Sequence, residues 1–300
     1  MNRDRSCPSD SIDIAAPQDA GGRLQTLDLL RGLTLISMII YHGMWDFLYL
    51  SESGASMTAL RTWYEGGGHL WQQSICRTFI LLSGFCVPFS RHIFRRGLQI
   101  SAGGAAVSAV TVIALYEDRV LFGVLTFLGA AMLVTGGLKW IRDKIYKNEF
   151  MDGTAASKEG SAKGKYLPAA GLAVCLFFFH VTRWINLGYL RLGSRILLNL
   201  PAGLYSSGSG RLQGYILTGL GFTMKGFFST DYFSFLPWIF LFWGGFFLNR
   251  ALSAQGHGKA FAGPVFHLQV PVLNLIGRHS LPVYLIHQPI LYLLITMLFC

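Results

Sequence analysis

Hydrophobic positions in this sequence gather into long windows separated by short polar stretches. A helix that crosses the hydrocarbon of a bilayer needs about 20 mostly apolar residues. Seven windows approach or exceed that length, at roughly 27–50, 70–90, 97–116, 119–138, 167–184, 235–249 and 273–299. The sixth is short. The third carries Gly103-Gly104 within a run of small residues, a composition that suits close helix packing. Leu212–Met224 is apolar but too short to span, and reads as interfacial or re-entrant. The pattern predicts an all-α polytopic membrane protein with about seven transmembrane helices.

Composition removes the alternatives. Apolar residues make up 52% of the 300 residues and charged residues 13%, with a mean hydropathy of +0.44. A water-facing chain carries about twice that charged fraction. Disorder and coiled coil are excluded by the same balance, and collagen by 35 glycines without a three-residue period. The net charge of +10 would suit nucleic acid in a soluble protein; in a membrane chain it points first to cytoplasmic loops. With the N-terminus inside, 15 of the 25 basic residues fall in cytoplasmic segments and seven outside, while Arg31, Arg77 and Arg278 lie in or at the edges of spans. The expected orientation is N-terminus cytoplasmic and C-terminus outside.

Residues 1–22 read as a disordered cytoplasmic tail with no secretory signal, residues 23–300 as the membrane domain, and residues 147–166 as a flexible cytoplasmic linker. No internal repeat is visible. The five cysteines have no CxxC spacing, so neither a disulfide framework nor a zinc site is expected.

Charges inside a membrane are costly, so each is a functional candidate. The first span holds Asp28, Arg31, His42 and Asp46. Arg31 and His42 are eleven residues apart, about 20° past three full turns, and all four groups with Tyr49 share a stripe about 60° wide. Asp28 and Arg31 could instead sit at the headgroups, with Asp46 and Tyr49 at the opposite interface. His42 lies about 12 Å inside the end of the span. With Asp46 one turn away, it is placed like a base oriented by a carboxylate. The second span adds Arg77 and Ser83-Gly84, and ends in Arg91, His92, Arg95 and Arg96, which read as positive-inside anchoring or as a patch for nucleotide phosphates. In the last span Arg278, Tyr284 and His287 crowd around Pro282 and Pro289.

These residues resemble a family. Arg31, ten intervening residues and His42 resemble the Arg-x10-His signature of transmembrane acyltransferases. Phe79-Ile-Leu-Leu-Ser-Gly-Phe85 is similar to a segment of the acyltransferase-3 family. A longer ordered resemblance is to bacterial relatives of heparan-α-glucosaminide N-acetyltransferase. It runs through Leu27–Gly32, Tyr41–Asp46, Phe122–Gly129, Asp231–Trp238 and Gly277–Pro289. The resemblance implies a multi-pass enzyme of a bacterial cytoplasmic membrane that takes an acyl group, acetyl first, from cytoplasmic acyl-CoA. The acceptor would be an extracytoplasmic hydroxyl or amine, with carbohydrate as one class. It carries the catalytic histidine over to His42 and the signature arginine to Arg31; beside it, the reading of the residues adds Asp46 as the carboxylate that orients His42, and Arg77, Arg91, Arg95 and Arg96 for donor binding. Ser83, Arg278, Tyr284 and His287 would line the site. Lysosomal members carry their proposed active histidine in the first outer loop, where His69 is the matching candidate here, and Thr126 stands where several bacterial relatives would carry histidine. The implied partners are the bilayer, acyl-CoA and the acceptor, with a homodimer as a candidate assembly; no metal and no nucleic acid are expected. The rival reading is a proton-coupled transporter using the Arg/His/Asp stripe, and a haem protein ligated through His42, His180 or His287 is a weaker third.

Overall fold

The computed structural model describes residues 24–151, 162–206, 211–255, 261 and 263–299. Its long elements are α1 (Gln25–Leu50), α4 (His69–Phe85), α5 (Ile93–Ala114), α6 (Val124–Met151), α7 (Ala162–Thr182), α9 (Phe235–Gln255) and α11 (Ser280–Phe299). Between them lie the short helices α2 (Glu52–Ala55), α3 (Thr58–Trp63), α8 (Arg211–Leu220) and α10 (Pro271–Arg278). Among the described residues the only strands are an antiparallel hairpin of β1 (Tyr189–Leu192) and β2 (Arg195–Asn199). The chain is an all-α, multi-pass integral membrane protein: α1, α5, α6, α7, α9 and α11 are each long and apolar enough to cross a bilayer. Side-chain placement agrees, with Leu33, Ile40, Ile113 and Met297 exposed while Asp46, Thr218 and Ser234 are fully buried. Polar groups turned inward and aliphatics outward suit a hydrocarbon solvent.

Among the described residues the count by that measure is six, against about seven expected. The window at 70–90 becomes α4, whose 17 residues include Gln72, Gln73 and Arg77, all half-buried, which shorten and dilute its apolar run. The helical path is nonetheless longer than α4, because α3 passes through a π-turn (Tyr64–Gly68) directly into it. The last window, expected as one span from 273 to 299, is two helices broken at His279. Pro282 has no N–H to give the Arg278 carbonyl, and its ring crowds that turn. Helix also covers both ends of the expected linker, since α6 runs to Met151 and α7 starts at Ala162. Residues 152–161 and the expected tail lie outside the described residues. At ten residues α8 is about 15 Å long, half a hydrocarbon core.

Small residues set the helix spacings. A Cβ on Gly84 of α4 would lie 1.8 Å from the Phe242 carbonyl oxygen, and one on Gly245 of α9 would lie 2.1 Å from that of Leu81. These reciprocal contacts bring α4 and α9 backbone to backbone. Across α5 and α6, Gly104 meets Thr126 and Gly129 meets Ser101 in the same way, which is the packing that the small-residue run led us to expect. The core between α4, α6 and α9 is built from Ile80, Phe127, Leu128, Ile239 and Phe242. Asn249 of α9 donates its amide to the Phe85 carbonyl at 3.0 Å, satisfying an end of α4 that has no helical donor.

Candidate active site

The stripe on α1 divides into two sites. At its start, Asp28 is buried between two guanidinium groups, Arg31 at 3.6 Å and Arg278 at 3.7 Å. The backbones close tightly here: a Cβ on Gly277 would fall 1.9 Å from the Asp28 carbonyl oxygen, and one on Gly32 2.0 Å from that of Leu273. Beside this crossing, Arg278, Gln25, Gln269 and Asn274 line a cavity of about 290 Å³. Cys86, at the end of α4, is within electrostatic reach of Arg31, Asp28 and Arg96, so the basic start of α5 lies at this end of the molecule.

The second site is eleven residues further along α1, about 16 Å at 1.5 Å per residue. His42 opens onto a cavity of about 70 Å³ shared with Cys76 of α4, Thr230, Asp231 and Tyr284 of α11, and walled by Leu35, Met38, Phe79 and Phe233. Its ring lies 5.3 Å from that of His287, centroid to centroid, and His287 in turn lies 5.4 Å from the Tyr284 ring. His287 Nδ1 is 2.6 Å from the Tyr284 carbonyl oxygen. A carbonyl only accepts, so Nδ1 carries the proton and Nε2 presents a lone pair. That Nε2 is buried and has no hydrogen-bond partner among the described residues.

Asp46 is placed differently from the expectation that it orients His42. The Gln288 amide donates to both carboxylate oxygens of the fully buried Asp46, at 3.0 and 3.2 Å, where α11 packs on α1. That donation fixes the amide's orientation and turns Gln288 Oε1 away, where it too lacks a partner among the described residues.

Asp231, which begins a segment resembling the family, is a site residue that the charge pattern along the spans does not pick out. It reaches the cavity from the segment before α9. Its Oδ2 accepts the Val124 N–H at 3.2 Å, at the start of α6 where free N–H groups favour an anion. The Tyr284 side chain, in the wall of the same cavity, also interacts with this carboxylate. Burial pushes the carboxyl up to about 6, and the Val124 hydrogen bond and Tyr284 oppose that rise. The signal that could have found it is an acidic residue beside a span, inside a segment already resembling the family.

The remaining candidates lie elsewhere. His69 is exposed at the start of α4, away from the cavity. Ser83 donates back to the Phe79 carbonyl within its own helix at 2.8 Å. Arg77 reaches Gln73 at 3.4 Å, and its Nε is buried without a partner among the described residues. Arg91, Arg95 and Arg96 are exposed. Among the described residues, no cluster of three His, Cys, Asp or Glu side chains is arranged to hold a metal ion.

The family profile described as "Heparan-alpha-glucosaminide N-acetyltransferase, catalytic" matches residues 23–146 and 169–289. No curated protein and no solved structure matches the chain. The matched segments hold both ends of the α1 stripe, the Asp231 segment and α11 as far as Pro289, so the chain belongs to the heparan-alpha-glucosaminide N-acetyltransferase catalytic family of membrane acetyltransferases.

Proposed function

We propose that the protein moves an acetyl group from cytoplasmic acetyl-CoA to a hydroxyl or amine presented from the opposite side of a bacterial cytoplasmic membrane, with carbohydrate the first acceptor class to test. The observation that carries this reading is His42, eleven residues beyond Arg31 on α1, opening onto a cavity within the membrane domain. A neutral imidazole there takes the proton of the acceptor as its oxygen or nitrogen attacks the acetyl carbon. The carbon–sulfur bond breaks, its electron pair goes to sulfur, and the imidazolium returns the proton to the thiolate. The His287 lone pair beside His42 gives that positive charge a neighbouring acceptor.

Support for donor binding comes from the other end of the stripe. The 290 Å³ cavity beside Arg278 suits the nucleotide part of the donor, and Arg91, Arg95 and Arg96 would raise its local concentration. The 16 Å between the two sites suits an extended pantetheine arm. Counting basic residues supports an N-terminus on the cytoplasmic side. A transporter is not favoured, because the family is one of acetyltransferases.

Purified protein incubated with radiolabelled acetyl-CoA and a panel of a hexosamine, a hexose and glycerol tests the reading. Saturable transfer that His42→Ala abolishes, with the variant still folded, is the expected result. Full turnover in His42→Ala removes the histidine from the chemistry, and the absence of both binding and transfer in the wild type overturns the assignment.

A further inference from the structure

We propose that Asp231 is a catalytic carboxylate of this acetyl transfer, holding in the cavity a second O–H or N–H of the acceptor, beside the one that gives its proton to His42, and offsetting the positive charge that His42 gains. The proposal rests on the acetyl-transfer reading above and assigns the carboxylate role to a residue other than Asp46.

Three observations carry it. Asp231 lines the same cavity as His42, whereas both oxygens of Asp46 are engaged by Gln288. The cavity wall contains no Lys or Arg among its described residues. The groups that interact with Asp231 are the Val124 N–H of α6, Tyr284 of α11 and Cys76 of α4, none of them a cation, and His42 of α1 lines the same cavity. A carboxylate held in such a site without a counter-charge is costly, and a hydrogen-bond donor or a forming cation in the cavity compensates it.

The third observation is how much local structure is devoted to aiming this one side chain. The turn before α6 is zipped to the 229–233 segment: Leu121 and Ser229 exchange two hydrogen bonds at 2.9 Å, and Phe233 N–H donates to the Phe122 carbonyl at 2.8 Å. Phe122 itself has φ +56°, a left-handed conformation that a bulky aromatic residue rarely adopts. Gly123 follows, where a Cβ would sit 3.0 Å from Asp231 Oδ2 and 2.9 Å from Val120. The result is a Val124 N–H directed at Asp231. Strain of this kind concentrates at sites where a fixed geometry is used.

In the reaction the acceptor's proton passes to His42, the acceptor–acetyl bond forms and the carbon–sulfur bond breaks. The thiolate then takes the proton from His42, and Asp231 remains a carboxylate throughout.

The test uses the full-length protein in detergent micelles, with labelled acetyl-CoA and the acceptor from the panel that gives the highest wild-type turnover. Asp231→Asn is expected to lower kcat at least 100-fold, while KM for acetyl-CoA and saturable acetyl-CoA binding change less than threefold. Asp231→Glu should recover at least tenfold over the Asn variant. Tyr284→Phe, which keeps the carboxylate and removes the hydroxyl that interacts with it, should lower kcat about tenfold with KM unchanged. An Asn variant within threefold of wild-type kcat overturns the proposal. So does one that loses acetyl-CoA binding and thermal stability together, which is the mark of a purely structural role, and so does a Tyr284→Phe variant with unaltered kcat if the Asn variant does not fold. A wild type without acetyl transfer overturns the underlying reading and this assignment with it, whereas an active wild type with a dead His42→Ala and a normal Asp231→Asn overturns this assignment alone.

Discussion

Replacing Asp231 by Asn should leave the protein more stable at neutral pH, and by an amount that depends on pH in a defined direction. Burial raises the folded carboxyl from 3.8 to about 6. The folded state therefore holds this proton more tightly than the unfolded chain does. Ionisation then favours unfolding: the penalty is absent below about pH 4, grows between 4 and 6, and is complete above 6. A rise of about two units corresponds to about 3 kcal/mol at 1.36 kcal/mol per unit. Asn keeps an amide oxygen for the Val124 N–H and carries no charge to bury. At pH 7.5 the variant should unfold later than wild type by up to about 3 kcal/mol, or about 5–10 °C. At pH 4 the two should coincide. Thermal unfolding of both proteins in one detergent from pH 4 to 8, followed by tryptophan fluorescence, measures the difference and cancels groups common to both. An Asn variant less stable than wild type at pH 7.5, or a gap that does not change with pH, would refute the reasoning. A gain in stability combined with lost turnover is the signature of a residue kept for function.

Two further predictions concern packing. Gly84→Leu places a side chain where a Cβ alone would lie 1.8 Å from the Phe242 carbonyl oxygen, so α4 and α9 must separate; the expected result is loss of the monodisperse peak on size exclusion, whereas Gly137→Leu, with no neighbour within 4 Å, should elute like wild type. Gln288→Leu strips the buried Asp46 of both hydrogen bonds and should destabilise by about 1.5–3 kcal/mol, with the Asp46→Leu, Gln288→Leu double variant recovering part of that loss in the same unfolding assay.

The parts of this protein that were legible from sequence are those the bilayer dictates locally. Lipid offers backbone groups no hydrogen-bond partner, so the long apolar windows had to be helices, and α1, α5, α6, α7, α9 and α11 follow them. Gly104 announced its own close packing because a run of small residues has few other uses in a membrane helix. Partners across the fold were not legible. Periodicity put Asp46 one turn from His42 on the same helix face, yet Gln288, 242 positions away in the chain, takes the carboxylate. Asp231 reaches the cavity only because the 119–124 turn and the 229–233 segment pair, and no local pattern encodes that pairing. The break at His279 is hidden for a different reason: hydropathy runs straight across it, and a proline inside an apolar window is compatible with one kinked span as well as with a boundary such as that between α10 and α11.

The two ends of the α1 stripe also bear on how the donor reaches the chemistry. Gly32 and Gly277 clamp α1 to α10 on backbone atoms at both flanks of the Asp28–Arg31–Arg278 cluster. Contacts that close leave α1 and α10 no room to approach further, and Arg31 and His42 lie on one continuous helix. If the cluster holds the donor as proposed, the 16 Å to His42 is bridged by the substrate rather than closed by the protein. On the proposed reading, the nucleotide supplies binding energy at the far end, and the thioester meets the same cavity whether or not the nucleotide is attached. A short acetyl thioester such as S-acetyl-N-acetylcysteamine should therefore be used with a KM raised about 100-fold or more and a kcat within about tenfold of that for acetyl-CoA, the pattern of lost uniform binding. Arg278→Ala should raise KM for acetyl-CoA about tenfold and leave KM for the short thioester unchanged. Equal KM values for the two donors, or an Arg278→Ala effect of the same size on both, would show that the basic cluster does not hold the nucleotide.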